Sequence, residues 1–437
     1  MQSPNYSPTG EKSWLAPTIS HPLAGSVCLP GSKSLTNREF VLSAIASGPS
    51  ELIAPLESRD SALMIEALEK LGTQINRTSG GDIVIVPATT DIAVATEIDC
   101  GLAGTVMRFL PPVAALFSGS IRFDGDLAAR ARPMGPTIKA LKELGVEVSA
   151  ENPDFLPFEI HSTGQVRGGE LDIDASASSQ FVSGLLLAAP RFVNGLTLNH
   201  VGETLPSVPH IAMTLKCLTD RGVRAEQLSA TSWRVEPGPI APKQVTIEPD
   251  LSNAGPFLAA ALVAGGSVRV ENWPKASTQV GKLFEEILPQ MGGKLEFEDN
   301  DLVVTGTGEI RPIQIDLSLG GELAPVVVAL AALANGKSRV TGISHLRGHE
   351  TNRLEALTTE INRIGGKATE LADGIEIEGS NNLHGAIWNS YGDHRMATAA
   401  AIIGLAVPGI TVNDINVVSK TMPNFVDLWS KMLGASN

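Results

Sequence analysis

The stretch ALEKLGTQINRTSGGDIVIV, at residues 67–86, carries the pattern that decides the fold. Its first part has helical spacing and ends in Leu-x-x-Leu-Gly, after which an alternating strand and a second strand follow. Glycine directly after the last helical turn is the usual left-handed cap, so Gly72 predicts where the helix ends. The stretch therefore predicts a helix that is followed by two strands.

The same unit recurs along the chain, with its glycines roughly 70 residues apart. The further copies are ALKELGVEV with PFEIH (140–161), CLTDRGVRA with WRVEPG (217–238), EILPQMGGKLEF with DLVVTG (286–306) and EINRIGGKATE with GIEIEG (360–379). A sixth copy, SKMLGASN at residues 430–437, has the helix and the glycine but no strands. We expect PTISHPLAGSVCL, at residues 17–29, to supply those strands, which places both termini in one domain.

Tandem repetition of one supersecondary unit, with helices alternating with strand pairs, predicts an α/β protein whose six units form two groups of three. The length of 437 residues is too great for one ordinary core and favours at least two domains. A cleft between two such domains is the natural place for a ligand. Any α/β protein makes helix–glycine–strand steps, so the regular spacing carries this prediction.

The charge of the chain excludes several classes of partner. Lys and Arg number 33 against 47 Asp and Glu, which gives a formal net charge of −14. Such a surface repels phosphate backbones and anionic lipid, so we expect neither a nucleic acid nor a membrane as partner. Aromatic residues make up only 4%, which leaves little material for stacking on bases.

The cysteines and the N-terminus predict a cytoplasmic location. Cys28, Cys100 and Cys217 lie far apart with no CxxC pair, which argues against a disulfide framework and a zinc cluster. The polar start MQSPNYSPTGEKSW lacks the apolar core of a signal peptide. The best apolar run, at residues 396–407, is about a dozen residues long and too short to span a bilayer.

The segment LPGSKSLTNR, at residues 29–38, follows a predicted strand and opens a predicted helix. Lys33 and Arg38 bring two cations to the helix N-terminus, and Ser32 and Ser34 add hydroxyl donors, which together suit an anion. The segment is not a Walker A loop, because a serine precedes the lysine where that motif has glycine. A capped helix with a solvated lysine is the alternative interpretation.

Two further segments combine glycine or proline with arginine. GLAGTVMRFL, at residues 101–110, frees backbone amides around Gly104 and places Arg108 one turn inside a helix. RARP, at residues 130–133, adds two arginines just before a helix that should start near its proline. The alternative for both segments is a turn with solvated surface arginines.

DASASSQFVSGLLLAAP, at residues 174–190, places Ser178, Ser179 and Gln180 ahead of an apolar helix. Hydroxyl and amide groups in this number can give several neutral hydrogen bonds to a phosphate. No G-x-S-x-G motif is present, so a nucleophilic serine is not expected. An over-capped helix remains the alternative.

Polar clusters mark two more helix starts and the segment SKTMPNF at residues 419–425. HLRGHETNRLEAL (345–357) carries His349, Glu350 and Arg353; YGDHRMATAAAIIGL (391–405) carries Asp393, His394 and Arg395; SKTMPNF carries Lys420. We expect these groups to converge on one site, the alternative being capped helices with salt bridges. The two histidines lack a metal-ligand spacing with a third ligand, so we expect no metal.

A local excess of cations in an acidic chain predicts a small polyanionic ligand. The cations in these segments are Lys33, Arg38, Arg132, Arg353, Arg395 and Lys420. Glu350, Glu322 and His394 are the candidate proton carriers. The residues alone therefore predict a cleft enzyme that acts on phosphate and carboxylate groups, and they leave the reaction open.

These segments, in this order, resemble the EPSP synthase (3-phosphoshikimate 1-carboxyvinyltransferase) family of enolpyruvyl transferases from about residue 26 to residue 425. The resemblance implies a two-domain, inverse α/β barrel-like fold in which each domain has three βαβαββ units. The implied domains are residues 1–31 with 249–437, which hold both termini, and residues 32–248, with the active site between them.

The resemblance also implies a reaction. The enolpyruvyl group of phosphoenolpyruvate passes to the 5-hydroxyl of shikimate 3-phosphate through a tetrahedral intermediate, giving 5-enolpyruvylshikimate 3-phosphate and phosphate in the route to chorismate and the aromatic amino acids. No cofactor is expected, and the chain is expected to be a monomer.

The family's motifs assign roles to individual residues of this sequence. The shikimate 3-phosphate residues implied are Lys33, Ser34, Arg38, Ser178, Ser179, Gln180, Ser207, Glu322 and His349. The phosphoenolpyruvate residues implied are Lys33, Gly104, Arg132, Gln180, Arg353, Arg395 and Lys420. The catalytic residues implied are Lys33, Glu322, Glu350 and His394, with Glu350 protonating the vinyl carbon and Glu322 accepting the hydroxyl proton.

Three positions depart from the family's usual pattern. Glu322 stands where the family usually has the shorter Asp, so its reach to the hydroxyl must be rebuilt. His349 stands where many members have Lys, which would make a cation on the shikimate side depend on pH. His210 occupies a position often held by Tyr.

Three alternatives stay open at this point. A UDP-N-acetylglucosamine enolpyruvyl transferase usually has Cys in the loop that here reads GDLAARARP (125–133), and it lacks the DHRMA motif. A non-catalytic ligand-binding relative would be expected to lose Lys33, Glu350 or the carboxylate at 322, and all three persist. An RNA 3′-phosphate cyclase conflicts with the acidic composition.

Overall fold

The computed structural model describes residues 13–89 and 94–434. Most of the polar N-terminal stretch lies outside these residues. In the first half of the chain the strands and helices are β1 (Trp14–Leu15), β2 (Leu23–Val27), α1 (Lys33–Ala44), β3 (Ser50–Ile53), α2 (Arg59–Lys70), β4 (Gln74–Arg77), β5 (Ile83–Val86), β6 (Val94–Asp99), α3 (Gly104–Ala114), β7 (Ser118–Asp124), α4 (Gly135–Glu143), β8 (Glu147–Ala150), β9 (Phe158–Thr163), β10 (Gly169–Ile173), α5 (Gln180–Ala188), β11 (Leu196–His200), α6 (Pro209–Thr219), β12 (Ala225–Ser229) and β13 (Ser232–Val235).

The second half continues with the same alternation. Its elements are β14 (Gln244–Thr246), α7 (Gly255–Ala264), β15 (Gly266–Val270), α8 (Phe284–Gln290), β16 (Lys294–Glu298), β17 (Asp301–Gly306), β18 (Gln314–Asp316), α9 (Ala324–Leu333), β19 (Lys337–Thr341), α10 (Arg353–Arg363), β20 (Lys367–Glu370), β21 (Ile375–Glu378), β22 (Ile387–Trp388), α11 (His394–Gly404), β23 (Thr411–Val412) and α12 (Phe425–Met432). The motif segments open α1, α3, α5, α10 and α11 as predicted, and α4 begins two residues after the predicted proline.

The predicted repeat is confirmed by the sheets. The strands β6, β7, β9 and β8 form one four-stranded sheet, in which the first pair is parallel and the other pairs are antiparallel. The same order and directions recur in the sheets β10-β11-β13-β12 and β18-β19-β21-β20. Each sheet is one βαβαββ unit.

The glycines at the helix ends have the left-handed backbone that the sequence predicts. Their φ angles are 93° at Gly72, 90° at Gly145, 77° at Gly222, 104° at Gly292, 86° at Gly365 and 76° at Gly434. A residue with a β-carbon rarely adopts such an angle, so glycine at these points lets the chain leave each helix and turn into the next strand.

Two units take their first strand from a distant part of the chain. Strand β2 pairs in parallel with β15, although more than two hundred residues separate them. Strand β14 pairs in parallel with β3 in the same way. The chain therefore leaves one group of units after β2 and returns to it after β14. A backbone bridge between Gly31 and Pro249 joins the two crossings side by side.

The prediction for residues 17–29 is wrong in part. The sixth sheet is completed by β1, which pairs antiparallel with β23, whereas β2 belongs to the sheet of β15. The terminal helix α12 does pack on β2, because a β-carbon at Gly25 would lie 2.6 Å from the carbonyl oxygen of Met432. The two ends of the chain thus share one group of units, as predicted, through helix packing rather than through the predicted strands.

Two separate hydrophobic cores support the architecture. One core is drawn from residues 16–29 and 251–432, and the other from residues 40–247. The helices α7, α9 and α11 pack together inside the first core, and α1, α3 and α5 pack together inside the second. Strands such as β4, β12 and β16 lie outside and are largely exposed. Helices inside and sheets outside give the inverse α/β barrel-like fold.

The predicted domain boundaries, after residues 31 and 248, fall between the residues of the two cores. We retain them as a proposal. The apolar run at residues 396–407 is mostly α11, whose apolar character reflects its place inside a core. Among the helices of residues 13–89 and 94–434, none has the length and apolar character needed to cross a membrane.

Substitution of Gly25 by alanine should destabilise the first core. The new β-carbon would meet the Met432 carbonyl oxygen at 2.6 Å, so α12 must shift away from β2. We expect the free energy of unfolding to fall by about 1–3 kcal/mol. Urea denaturation followed by circular dichroism measures it. The control is Gly238→Ala, where nothing lies within 4 Å of the new atom; equal effects of the two changes would contradict the packing described.

Candidate active site

A cavity of about 130 Å³ lies where the two cores face each other. Its lining comes from both groups of units and includes most of the predicted site residues. These are Lys33, Ser34, Gly104, Arg132, Ser178, Gln180, Glu322, His349, Glu350, Arg353, His394, Arg395 and Lys420. Residues from segments hundreds of positions apart therefore converge, as the sequence predicts for one site.

Helix N-termini converge on this cavity. Lys33, Gly104, Gln180 and His394 are the first residues of α1, α3, α5 and α11, and all four line it. The N-terminal end of a helix carries partial positive charge and unpaired amide groups. The backbone itself therefore favours an anion here, in addition to the cationic side chains.

Glu350 joins two of the predicted groups. Its Oε1 lies 2.7 Å from Lys420 Nζ and its Oε2 lies 3.0 Å from His394 Nδ1. Burial raises the pKa of this carboxyl, but the charges of His394 and Lys420 outweigh it and hold the pKa well below its usual range. Burial lowers the pKa of His394, and the charge of Glu350 opposes this effect.

Arg353 is held in a buried ion pair with Asp393. Its Nε and Nη2 lie 2.7 and 3.1 Å from the two carboxylate oxygens. Asp393 also accepts a hydrogen bond of 2.9 Å from the backbone N–H of Arg395 and so caps α11. Burial lowers the pKa of Arg353, but the charge and hydrogen bonds of Asp393 raise this pKa by more than burial lowers it. The guanidinium therefore stays charged. One carboxylate therefore fixes two arginines of the cavity.

His349 is neutral in this structure near neutral pH. Burial lowers the pKa of its imidazole well below the ordinary value, and the charges of Arg353 and Arg132 act in the same direction. Its Nδ1 lies 3.3 Å from Nη1 of Arg353. The ring therefore does not add the pH-dependent cation that the sequence suggested.

Glu322 lies in a short turn before α9, between groups of both cores. Its Oε2 is 3.0 Å from Nε2 of His210, and its Oε1 is 3.6 Å from Nη2 of Arg395. Burial raises the pKa of Glu322, but His210 and Arg395 lower it more, so the carboxyl titrates well below its usual range. The longer side chain thus reaches a residue on the opposite wall.

The wall around α3 holds polar groups without a protein partner. Arg108 Nε, Arg132 Nε and Gln180 Oε1 are buried and have no hydrogen-bond partner among the described residues. A β-carbon at Gly104 would lie 2.9 Å from Gln180 Oε1 and 3.2 Å from Arg132 Nη2, so only glycine leaves this space open. The two arginine N–H groups are donors available to a bound anion, and Gln180 Oε1 is an acceptor available to a ligand hydroxyl.

Lys33 is held between two acids of different cores. Its Nζ lies 3.3 Å from Asp60, and its backbone N–H donates to Asp250 across 3.2 Å. Asp60 and Ser252 were not predicted as site residues, and Arg108 was a candidate from its segment without a role implied by the family's motifs. Arg108 lines the cavity, and Ser252 lines it as well and accepts a hydrogen bond of 3.1 Å from Arg395 Nη2.

Three predicted site residues do not line the cavity: Arg38, Ser179 and Ser207. The guanidinium of Arg38 is buried behind the wall, where Nε donates to Thr214 Oγ1 at 2.9 Å and Nη1 donates to the carbonyl oxygen of Ser34 at 2.8 Å. Ser179 is buried just before α5. Ser207 has a φ of 53° and donates its N–H to Ser318 of the other core at 3.4 Å.

Glu350, Asp393 and His394 place one ligand atom each within 4.8 Å of one another, a spacing that could hold a metal ion. Both carboxylates are already paired with cations, Glu350 with Lys420 and Asp393 with Arg353. A metal ion would have to break these ion pairs, so the donor set does not fit one well.

The fold is that of the enolpyruvyl transferases. A crystal structure of the enolpyruvyl transferase NikO from Streptomyces tendae matches with a TM-score of 0.78 and 18% identity over 98% of each chain. A structure of EPSP synthase from Acinetobacter baumannii matches with a TM-score of 0.79 and 24% identity over 96% of this chain and 97% of that chain. Likeness at these identities establishes the fold.

The sequence comparisons define the family. Residues 17–429 match the family described as EPSP synthase (3-phosphoshikimate 1-carboxyvinyltransferase). A 3-phosphoshikimate 1-carboxyvinyltransferase of Kocuria rhizophila is 52% identical over 431 residues, which cover 97% of each chain. The chain belongs to the EPSP synthase family, which confirms the resemblance seen in its motifs, and the nucleotide-sugar alternative is not favoured.

Removal of the Asp393 charge should destabilise the folded protein. Asp393→Asn leaves Arg353 buried with a weaker partner, and we expect the free energy of unfolding to fall by about 3–5 kcal/mol. Urea denaturation measures the loss. The control is Asp220→Asn, because Asp220 forms exposed ion pairs with Lys216 and Lys243 and should matter by less than about 1 kcal/mol. Similar values for both variants would show that the buried pair is not a structural support.

Proposed function

We propose that the cavity transfers the enolpyruvyl group of phosphoenolpyruvate to the 5-hydroxyl of shikimate 3-phosphate, with release of phosphate. The observation that carries this proposal is the meeting of the family's motifs in one cavity, where Glu322 and Glu350 stand among cations of both cores. The substrates of this family are small molecules, which agrees with an enclosed cavity rather than an open surface.

The lining divides naturally between the two substrates. Arg132, Arg353, Arg395 and Lys420 are permanent cations that suit the carboxylate and phosphate of phosphoenolpyruvate, because guanidinium groups bind such anions through two parallel hydrogen bonds. Hydroxyl and amide groups at Ser34, Ser178 and Gln180 suit the phosphate and hydroxyls of shikimate 3-phosphate. Lys33 lies between the two sets and contacts both ligands in this arrangement.

The first step is an addition. The 5-hydroxyl oxygen forms a bond to the central carbon of phosphoenolpyruvate, its proton passes to Glu322, and the vinyl carbon takes a proton from Glu350. In the second step the bond from the central carbon to the phosphate oxygen breaks, and phosphate leaves with the bonding electron pair and the proton that Glu322 took up. The Glu350 carboxylate takes back a proton from the methyl group formed in the first step, and the enol ether forms. The cavity supplies orientation, exclusion of water and the two proton-transfer groups.

Glu350 must carry a proton to act as the acid. In the structure its oxygens contact Lys420 and His394, and these contacts keep its pKa low. The anionic groups of phosphoenolpyruvate compete for Lys420, and loss of this cation from Glu350 raises the carboxyl pKa in the buried site. Ligand binding thus prepares the acid. His394 stays hydrogen-bonded to the Glu350 carboxyl and exchanges a proton with it.

Several finer statements belong to the same proposal. The net charge of −14 supports a chain that binds neither nucleic acid nor membrane lipid. We propose a cytoplasmic monomer with domains at residues 1–31 with 249–437 and at residues 32–248. Sedimentation velocity and limited proteolysis test these points.

The acceptor specificity tests the proposed reaction. With phosphoenolpyruvate as donor, phosphate should be released when shikimate 3-phosphate is the acceptor and not when UDP-N-acetylglucosamine replaces it. A colorimetric phosphate assay with each acceptor measures this. Release with the nucleotide sugar alone would overturn the assignment, and release with neither acceptor from a folded sample would favour a binding protein.

Glu350→Gln tests the acid. The amide keeps the shape and the hydrogen bond to His394 but cannot deliver a proton to carbon. We expect kcat to fall by about 10²- to 10⁴-fold, whereas the dissociation constants of the two substrates change little. Steady-state kinetics and isothermal titration calorimetry separate the two quantities. The matched control is Glu355→Gln, since Glu355 lies on the exposed side of α10; parallel losses of kcat and affinity would contradict the acid role.

A further inference from the structure

One hydrogen bond crosses the cavity between the two cores and is not explained by substrate binding. His210 is the second residue of α6 in the second core, and Glu322 precedes α9 in the first core. The imidazole Nε2 lies 3.0 Å from Glu322 Oε2. Because a carboxylate only accepts hydrogen bonds, Nε2 carries the hydrogen and donates it.

The backbone of His210 is fixed from behind. Its carbonyl oxygen accepts hydrogen bonds from Arg38 Nη2 at 2.9 Å and from Thr214 Oγ1 at 3.0 Å. Arg38 is itself buried, with its guanidinium 5.1 Å from the ring centroid of Phe109. Arg38 therefore supports the start of α6, and through it the position of the imidazole, although it does not line the cavity.

Glu322 has a competing partner. Its other oxygen, Oε1, lies 3.6 Å from Nη2 of Arg395. Without the donor at His210 the carboxylate can turn fully toward this guanidinium and form a two-pronged ion pair. In that position both of its oxygens would accept hydrogen bonds from the guanidinium, which makes the carboxylate a weaker acceptor for the proton of a substrate hydroxyl.

We propose that His210 is a positioning residue for Glu322. Its Nε2–H holds Oε2, so that Oε1 stays directed into the cavity as the acceptor of the 5-hydroxyl proton. This inference rests on the proposed function, because it assigns a partner to the proton acceptor of that reaction. The contact joins the longer carboxylate of Glu322 to the opposite wall, and the two side chains together span the cavity.

Three substitutions test the hydrogen bond. His210→Phe removes the donor and keeps the ring, and we expect kcat to fall by about 10- to 100-fold, a part of what a general base contributes. His210→Gln places an amide N–H near the Nε2 position and should stay within about threefold of the parent enzyme. His161→Phe is the control, since that ring forms hydrogen bonds with the hydroxyls of Ser120 and Ser149 on a sheet away from the cavity.

The pH profile distinguishes positioning from general damage. The groups that face Glu322 are His210 on α6, Arg395 on α11, Ser252 before α7, Arg353 on α10, His345 in the preceding turn and Arg38 on α1. His210 lowers the pKa of Glu322, so its removal raises that pKa. A base works only when deprotonated, and its activity falls as pH falls through its pKa. The acidic limb of kcat should therefore move to higher pH in His210→Phe.

A double-mutant cycle tests whether the side chains at positions 210 and 322 are matched in length. Glu322→Asp shortens the carboxylate by one methylene and should lose the contact. His210→Tyr extends the donor, because the phenol hydroxyl reaches further than Nε2, and should crowd the longer carboxylate. Each single change should lower kcat by about 10-fold, and the double change should recover most of the loss, which is a coupling that independent sites do not show.

Glu322→Gln separates failure of this inference from failure of the proposed function. If Glu322→Gln keeps full turnover, Glu322 is not the acceptor, and the positioning role falls while the proposed reaction stands. If the parent enzyme itself releases no phosphate from the two substrates, the proposed function falls. If Glu322→Gln loses turnover but His210→Phe keeps the parent kcat and the parent acidic limb, only the positioning role falls. Loss in His210→Phe with an unmoved limb and additive effects in the cycle would also overturn it. Thermal unfolding of each variant confirms that the protein compared is folded.

Discussion

The structure depends on the positive charge that gathers in one cavity. The helices α1, α3, α5 and α11 point their N-terminal ends at it, and lysines and arginines from both cores line it. These charges repel one another, and burial makes the repulsion stronger. Acids beside the cations offset it, among them Glu350 beside Lys420 and Asp393 beside Arg353. These two pairs hold the wall that the first core provides, and Glu322 links that wall to His210 of the second core.

The repeated unit explains how so many helix ends reach one place. In each βαβαββ unit the first helix connects two parallel strands, and the inner helices of one core pack against one another. The first residues of α1, α3, α5 and α11 line the same cavity. Two such cores that face each other bring two sets of N-termini together. The fold therefore places the helix N-termini around the site, and the side chains add the charges and hydrogen-bonding groups.

The repeated unit and most of the site residues could be predicted from the sequence, because short stretches of neighbouring residues determine them. The glycines that end helices, such as Gly72 and Gly365, recur with the unit, and the polar motifs sit at helix starts. The features that could not be predicted depend on contacts between residues far apart in the sequence. Strand β1 is two residues long and has no period to detect, so its pairing was missed. The role of Asp393 depends on Arg353, forty positions away, and the neutrality of His349 depends on burial that no local pattern reports.

The two chain crossings give the molecule an uneven construction. The second core comes from one continuous stretch of chain, residues 40–247, whereas the first core is interrupted by it. At the interruption, Gly31 and Pro249 form a backbone bridge, so the entry and the exit of the inserted stretch are adjacent in space. The inserted stretch therefore enters and leaves at one point. A short linker from residue 31 to residue 249 would bridge the gap that its removal leaves.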